Sequence, residues 1–121
     1  MTRSRRDRVI AECGARPGAV EDYPFGDDAA VFKVAGKMFA LVSLGQEPGS
    51  VSLKCDPDTA VELRAQYSAI TAGYHLNKRH WNTVELEGSV PEDELTELID
   101  HSYTLVVAGL TRAVRSKLIP R

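Results

Sequence analysis

Between Glu62 and Glu85 the chain has no acidic residue, although as a whole it carries 17 acidic against 15 basic side chains and a formal net charge of −2. The local field of that stretch is therefore positive. Cysteine is scarce. Cys13 and Cys55 form no C-x-x-C pair, which argues against a zinc or redox motif, and both thiols are expected to be buried and reduced. Long apolar runs are missing too, so no membrane-spanning helix is expected. The basic start with Arg3, Arg5, Arg6 and Arg8 leads into Val9-Ile10-Ala11 and then Glu12, too short an apolar stretch for an export signal. A cytoplasmic location is the expectation. Neither a G-x-G-x-x-G fingerprint, nor a P-loop, nor H-E-x-x-H can be written onto the sequence, and no cofactor or metal is expected. A pI near 5.9 argues against a protein that coats nucleic acid without preference, because such binding needs many Lys and Arg contacts. Any affinity of that kind has to come from one face.

The remaining composition is that of an ordinary water-soluble fold, with 43% hydrophobic and 26% charged residues, and 121 residues suit a single domain over 1–121. Val9, Ile10 and Cys13 recur at helical spacing among arginines, which predicts a first helix over 5–13 closed by Gly14 and Pro17-Gly18. The runs 29–34 and 37–44 meet at Ala35-Gly36 as a hairpin. Residues 51–55 alternate strictly, predicting a third strand with one wet and one dry face. Asp56-Pro57 starts a second helix, since the aspartate can accept from free N–H groups and proline needs no partner there. On that helix Ala60, Leu63, Arg64 and Tyr67 share a side. The period returns to two over 70–75 and 81–87, the fourth and fifth strands, with Val84 and Leu86 on the dry face and Trp81 with Thr83, Glu85 and Glu87 on the other. Ser89 and Glu92 have the spacing of a capping box ahead of a last helix over 91–108. The order α-β-β-β-α-β-β-α predicts an α+β fold, a five-stranded antiparallel sheet covered on one face by helices. Its other face is expected to be partly open to water.

The acid-free stretch holds the strongest candidate for a working surface. Tyr74, His75, Asn77, Lys78, Arg79, His80 and Trp81 place cations, imidazoles and large aromatics in one connection. The alternative reading makes Trp81 a core residue and the cations ordinary surface charges. Further basic clusters stand at the amino-terminal arginines and at Arg112, Arg115, Lys117 and Arg121. Either is a solvating tail, or a phosphate contact if the clusters converge on one face. Asp100-His101-Ser102 has the residue types of a hydrolytic triad, but three successive residues of a helix point in different directions. Glu92, Asp93 and Glu94 suit the positive end of a helix dipole better than carboxylate catalysis.

Three stretches carry a resemblance across most of the chain: Lys33-Val34 with Lys37-Met38-Phe39-Ala40-Leu41, the run from His75 to Val84, and Leu98-Ile99 with Ser102-Tyr103-Leu105-Val106. With Asn77-Lys78-Arg79-His80-Trp81 as its most specific part, the chain resembles the MmcQ/YjbR family. The resemblance implies a small bacterial domain with a CyaY/frataxin-like sheet, no enzymatic activity, and DNA binding through a double wing of β-hairpins. Frataxins proper carry iron on an acidic first helix, whereas here that helix holds Arg5, Arg6 and Arg8, so iron delivery is not expected.

The expectation is therefore a non-enzymatic domain that contacts double-stranded DNA weakly. Lys78 and Arg79 meet phosphates, His75, Asn77, His80 and Trp81 shape the contact, and Lys33 and Lys37 flank a hairpin wing. The rival is a module that receives a protein or small ligand on the same surface, since aromatics and arginine also favour interfaces. Oligomeric state stays open, because an uncovered sheet edge can pair with a copy of itself.

Overall fold

The computed structural model describes residues 4–45, 47–73 and 76–118. Helix α1 (Arg5–Gly14) begins where the Ser4 hydroxyl accepts from the Asp7 N–H, and it buries Val9 and Cys13. Strands β1 (Ala19–Asp22), β2 (Ala29–Val34), β3 (Lys37–Ser43) and β4 (Ser50–Lys54) follow, then helix α2 (Pro57–Gln66). Asp56 caps α2 by accepting from the N–H groups of Asp58 and Thr59. Strands β5 (Ile70–Ala72) and β6 (Trp81–Glu85), the long helix α3 (Glu92–Ala108) and the short α4 (Arg112–Ser116) complete the order.

Among the described residues six strands form one antiparallel sheet in the order β1-β2-β3-β4-β6-β5. Five strands were expected, and the sixth is β1. Its Ala-Val-Glu-Asp sequence has no dry face, and Val20, Glu21 and Asp22 are exposed, so only the ladder to β2 makes it a strand. Ala35 and Gly36 both have positive φ, 51° and 79°, the backbone that two-residue hairpin turns require. A bulge follows: Phe32 faces Ala40 but Lys33 faces Met38, which leaves Phe39 as the extra residue.

Helices α1, α2 and α3 cover one face, where Phe32, Phe39, Leu53, Val84, Leu95 and Ile99 belong to a common core. On the opposite face the register lines up Val31, Leu41, Ser52 and Thr83. Among the described residues no helix covers that row, yet Val31, Ser52 and Thr83 are buried by their neighbours. The expected alternation of wet and dry along β4 therefore fails. Val51, Ser52 and Leu53 are all buried, and the Ser52 hydroxyl is satisfied 2.8 Å from that of Thr83. A strand at the middle of a sheet loses its wet face to the side chains beside it.

Two further expectations are corrected. Pro91, not Ser89, is the N-cap of α3, and no side chain caps it; the Ser89 hydroxyl and N–H turn back to Glu87 instead. The fourth strand expected over 70–75 is only Ile70–Ala72, with Tyr74 and His75 outside the described residues. Burial of Cys13 and Cys55 follows the expectation, and burial pushes the Cys13 thiol up to about 12.

A basic end of the sheet and its cleft

Register decides which residues share an end of the sheet. Ala19 pairs with Val34, the β2–β3 turn leads into Lys37, Lys54 pairs with Trp81, and Ala72 pairs with Asn82. Ala19, Val34, Lys37, Lys54, Trp81 and Ala72 therefore lie at one end. The other end holds Asp22, Ala29, Ser43, Ser50 and Glu85, and there too α3 begins with Glu92, Asp93 and Glu94. The amino-terminal arginines belong to that second end. The Arg5 guanidinium donates to the Val90 carbonyl at 2.6 Å, Arg6 pairs with Glu47 at 2.6 Å, and Arg8 pairs with Glu92. Arg3 lies outside the described residues. This cluster therefore does not converge with the acid-free stretch.

The connection from Leu76 to His80 is built onto the first end by its own backbone. The Asn77 side chain accepts from the Arg79 N–H at 3.0 Å and its carbonyl from the His80 N–H at 3.2 Å, which folds a tight turn. The His80 carbonyl then accepts from the Cys55 N–H, and the Trp81 carbonyl from the Gly73 N–H, each at 2.8 Å. Arg64 on α2 clamps the turn from below, donating to the Lys78 carbonyl at 3.2 Å and to Asn82 Oδ1 at 2.8 Å. Asn82 is buried and donates in turn to the Ala60 carbonyl at 3.3 Å. Sequence, loop geometry and helix packing are thus joined through one guanidinium.

With the turn held this way Asn77, Lys78 and Arg79 are exposed, while His80 and Trp81 are half-buried. The Lys78 ammonium reaches back to the Gly73 carbonyl at 3.4 Å. Among the described residues no carboxylate pairs with Lys78 or Arg79. Lys37 is exposed at the neighbouring hairpin. Lys33 is held apart by Asp22 at 3.2 Å, a contact that keeps the Asp22 carboxyl below its usual range. His75 falls outside the described residues.

Two contributors were missed in the sequence, Lys54 and Arg64. Lys54 stands near the end of the alternating strand 51–55, and the three-strand meander brings it to the same end as Lys37; that signal was legible. The pairing of β4 with β6, which sets Lys54 against Trp81, is a long-range contact that no local pattern announces. Lys37, Met38, Lys54 and Trp81 line a cleft of about 380 Å³ whose far wall is the last turn of α3, with Leu105, Val106, Gly109 and Leu110. Helix α4, carrying Arg112 and Arg115 with Lys117 as its C-cap, comes to the same end: Leu118, which follows it, lies over Gly18 beside Val34. Arg121 is outside the described residues.

The triad residues point three ways, as their spacing predicts. Asp100 pairs with Arg16 at 3.5 Å, His101 Nε2 accepts from the Asp56 N–H at 3.3 Å, and Ser102 is buried against the sheet. Among the described residues no group of three His, Cys, Asp or Glu side chains is placed to hold a metal ion, and no helix is long and apolar enough to cross a membrane.

An α+β domain with this sheet and this turn has known relatives. The YjbR family model matches residues 14–105, and the chain belongs to that family. It is 38% identical over 111 residues to the uncharacterised protein YjbR of Escherichia coli K12, covering 92% of this chain and 94% of that one. The uncharacterised YyaQ of Bacillus subtilis is 40% identical over 55 residues, 46% of each chain. Among solved structures, the crystal structure of Deinococcus radiodurans protein DR2400, with a DUF419 domain, superposes with a TM-score of 0.87 at 44% identity, covering 94% of this chain and 88% of that one. A Pseudomonas syringae protein superposes with a TM-score of 0.71 at 28% identity, covering 87% and 98%.

Proposed function

We propose that this is a non-enzymatic DNA-binding domain, and that the basic end of the sheet is where DNA lies. The observation that carries the reading is the separation of charge along the strands. Lys37, Lys54, Lys78 and Arg79 gather at one end, where α4 also lies, while Glu85, Glu92, Asp93 and Glu94 occupy the other, with Arg8 paired to Glu92. Asp56, close to Lys54 in sequence, is occupied in capping α2. A negative net charge is compatible with this, because phosphates respond to the local field. The β2–β3 hairpin and the turn before β6 stand as the two projections of a double wing on a CyaY-like sheet. Lys37, Lys78 and Arg79 serve the backbone, and Asn77, His80 and Trp81 lie between them. Lys33, tied to Asp22, has a lesser share. A cytoplasmic protein is part of the same reading.

Four cations at about 0.9 each give a slope of about −3.6 for log K against log salt. Fluorescence anisotropy with a labelled duplex at low salt tests this. The Lys78→Ala/Arg79→Ala double variant is expected to weaken binding uniformly across sequences and to flatten the slope by about 1.8. Absence of binding at low salt refutes the function. The apolar wall of the cleft supports a second reading, a module for a small anionic aromatic ligand seated between Lys37, Lys54 and Trp81.

A further inference from the structure

We infer that the cleft receives one unpaired nucleobase of a nucleic-acid strand, so that the site engages DNA carrying a single-stranded segment in preference to continuous duplex. The inference rests on the DNA reading above and specifies what kind of DNA the site takes. A duplex backbone needs only cations on a surface, and its bases, stacked on one another, offer no free face. This site has more than cations. It includes a cleft of about 380 Å³ lined by Lys37 and Lys54 together with Met38, Trp81, Leu105 and Leu110. A lining that combines apolar side chains with two lysines matches a group that is flat and apolar at one end and anionic at the other. A nucleotide in a strand has that form, with the base against the indole and its phosphates on the two lysines.

The indole is held in place for such a role. Gly73, buried beside it, has no Cβ; one added there would lie 2.7 Å from Trp81 Cβ and 3.1 Å from the Trp81 carbonyl oxygen. The strand position next to the tryptophan is therefore trimmed to backbone. On the other flank the Asn77 turn and the Arg64 clamp fix where β6 begins. The exposed Lys78 and Arg79 stand just ahead of His80 and Trp81 in the chain, so a strand leaving the cleft meets further cations.

The chain has one tryptophan, so its emission reports this cleft alone. The full chain is titrated at low salt with oligothymidylate of about 20 nucleotides, with a blunt duplex of the same length, and with thymidine monophosphate. Oligothymidylate is expected to quench the emission and to bind about tenfold or more tightly than the duplex, with the mononucleotide acting only at far higher concentration. Trp81→Leu, followed by anisotropy of a labelled strand, is expected to lose about tenfold in affinity for the strand and little for the duplex. Should that variant fail to fold by circular dichroism, Lys37→Ala decides: it removes an exposed cation and is expected to weaken the strand with quenching retained at saturation. Equal binding of strand and duplex with unchanged emission overturns the base pocket and leaves the DNA reading standing. Binding of neither ends both. Quenching by the mononucleotide at the strand's own concentrations assigns the cleft to free nucleotides and overturns the claim for a strand.

Discussion

Replacing Ser102 by alanine tests how the bulge in β3 is tied to α3. Ser102 is fully buried, and its hydroxyl donates to the Phe39 carbonyl at 2.6 Å while accepting from the Lys54 N–H at 2.9 Å. Both backbone groups need it. Phe39 is the extra residue of the bulge, and the ladder between β3 and β4 pairs Ala40 with Leu53 and goes no further. Ser102→Ala is close to isosteric, so no cavity opens, but a carbonyl and an N–H are left without their partner. At about 1–3 kcal/mol for each buried group, the expected loss is about 3 kcal/mol. With a urea slope of about 2 kcal/mol/M, the unfolding midpoint falls by about 1.5 M at unchanged slope. Because Lys54 lines the cleft, tryptophan emission of the folded variant should shift as well. A midpoint change below about 0.3 M would refute the argument, since it would mean that neither group depended on the hydroxyl.

The other predictions concern the turn, the glycine, the hairpin and one thiol. Arg64→Ala frees the Lys78 carbonyl and Asn82 Oδ1; with the guanidinium only half-buried, a loss of about 1 kcal/mol is expected by urea unfolding. Faster amide exchange in the segment 76–80 should accompany it. Gly73→Ala drives a methyl into Trp81, and the expected result is a shifted emission maximum with a destabilisation of about 1–3 kcal/mol. Ala35→Asn keeps the positive-φ turn with a residue that tolerates it, and should stabilise by about 0.5–1 kcal/mol in thermal unfolding. Cys13 stays protonated in the fold because its value is raised to about 12, whereas the unfolded thiol ionises near its ordinary 9.0. Its contribution is therefore complete below about pH 9 and is lost as pH rises toward 12, at about 1.4 kcal/mol per unit. Urea midpoints of the parent protein and Cys13→Ala at pH 8 and pH 10 should show the parent losing more.

Much of the fold was written locally. The two-residue turn at Ala35-Gly36, the Asp56-Pro57 helix start and the spacing of Leu95, Leu98, Ile99, Leu105 and Val106 each act within a few residues, and each predicted element is present. The failures share one cause. Strand β1 exists because β2 offers it an edge, β4 has no wet face because strands flank it, and Ser89 had a nearer acceptor in Glu87. In each case a neighbour remote in sequence, or a competing one close by, overruled the local pattern.

The candidate site divides along the same line. That residues 76–83 carry cations and an indole without acids is a property of composition, and the Asn77 turn follows from its own side chain. That Lys37 and Lys54 stand beside them, that Arg64 clamps the turn, and that the amino-terminal arginines are led away to Val90, Glu47 and Glu92 depend on strand register and helix placement. Local hydrogen bonding and periodicity act over one turn or one strand, so the chain settled the elements and the chemistry of its turn. Bringing charges from four elements to one end of a sheet is a matter of pairing over long separations, and only the folded arrangement decides it.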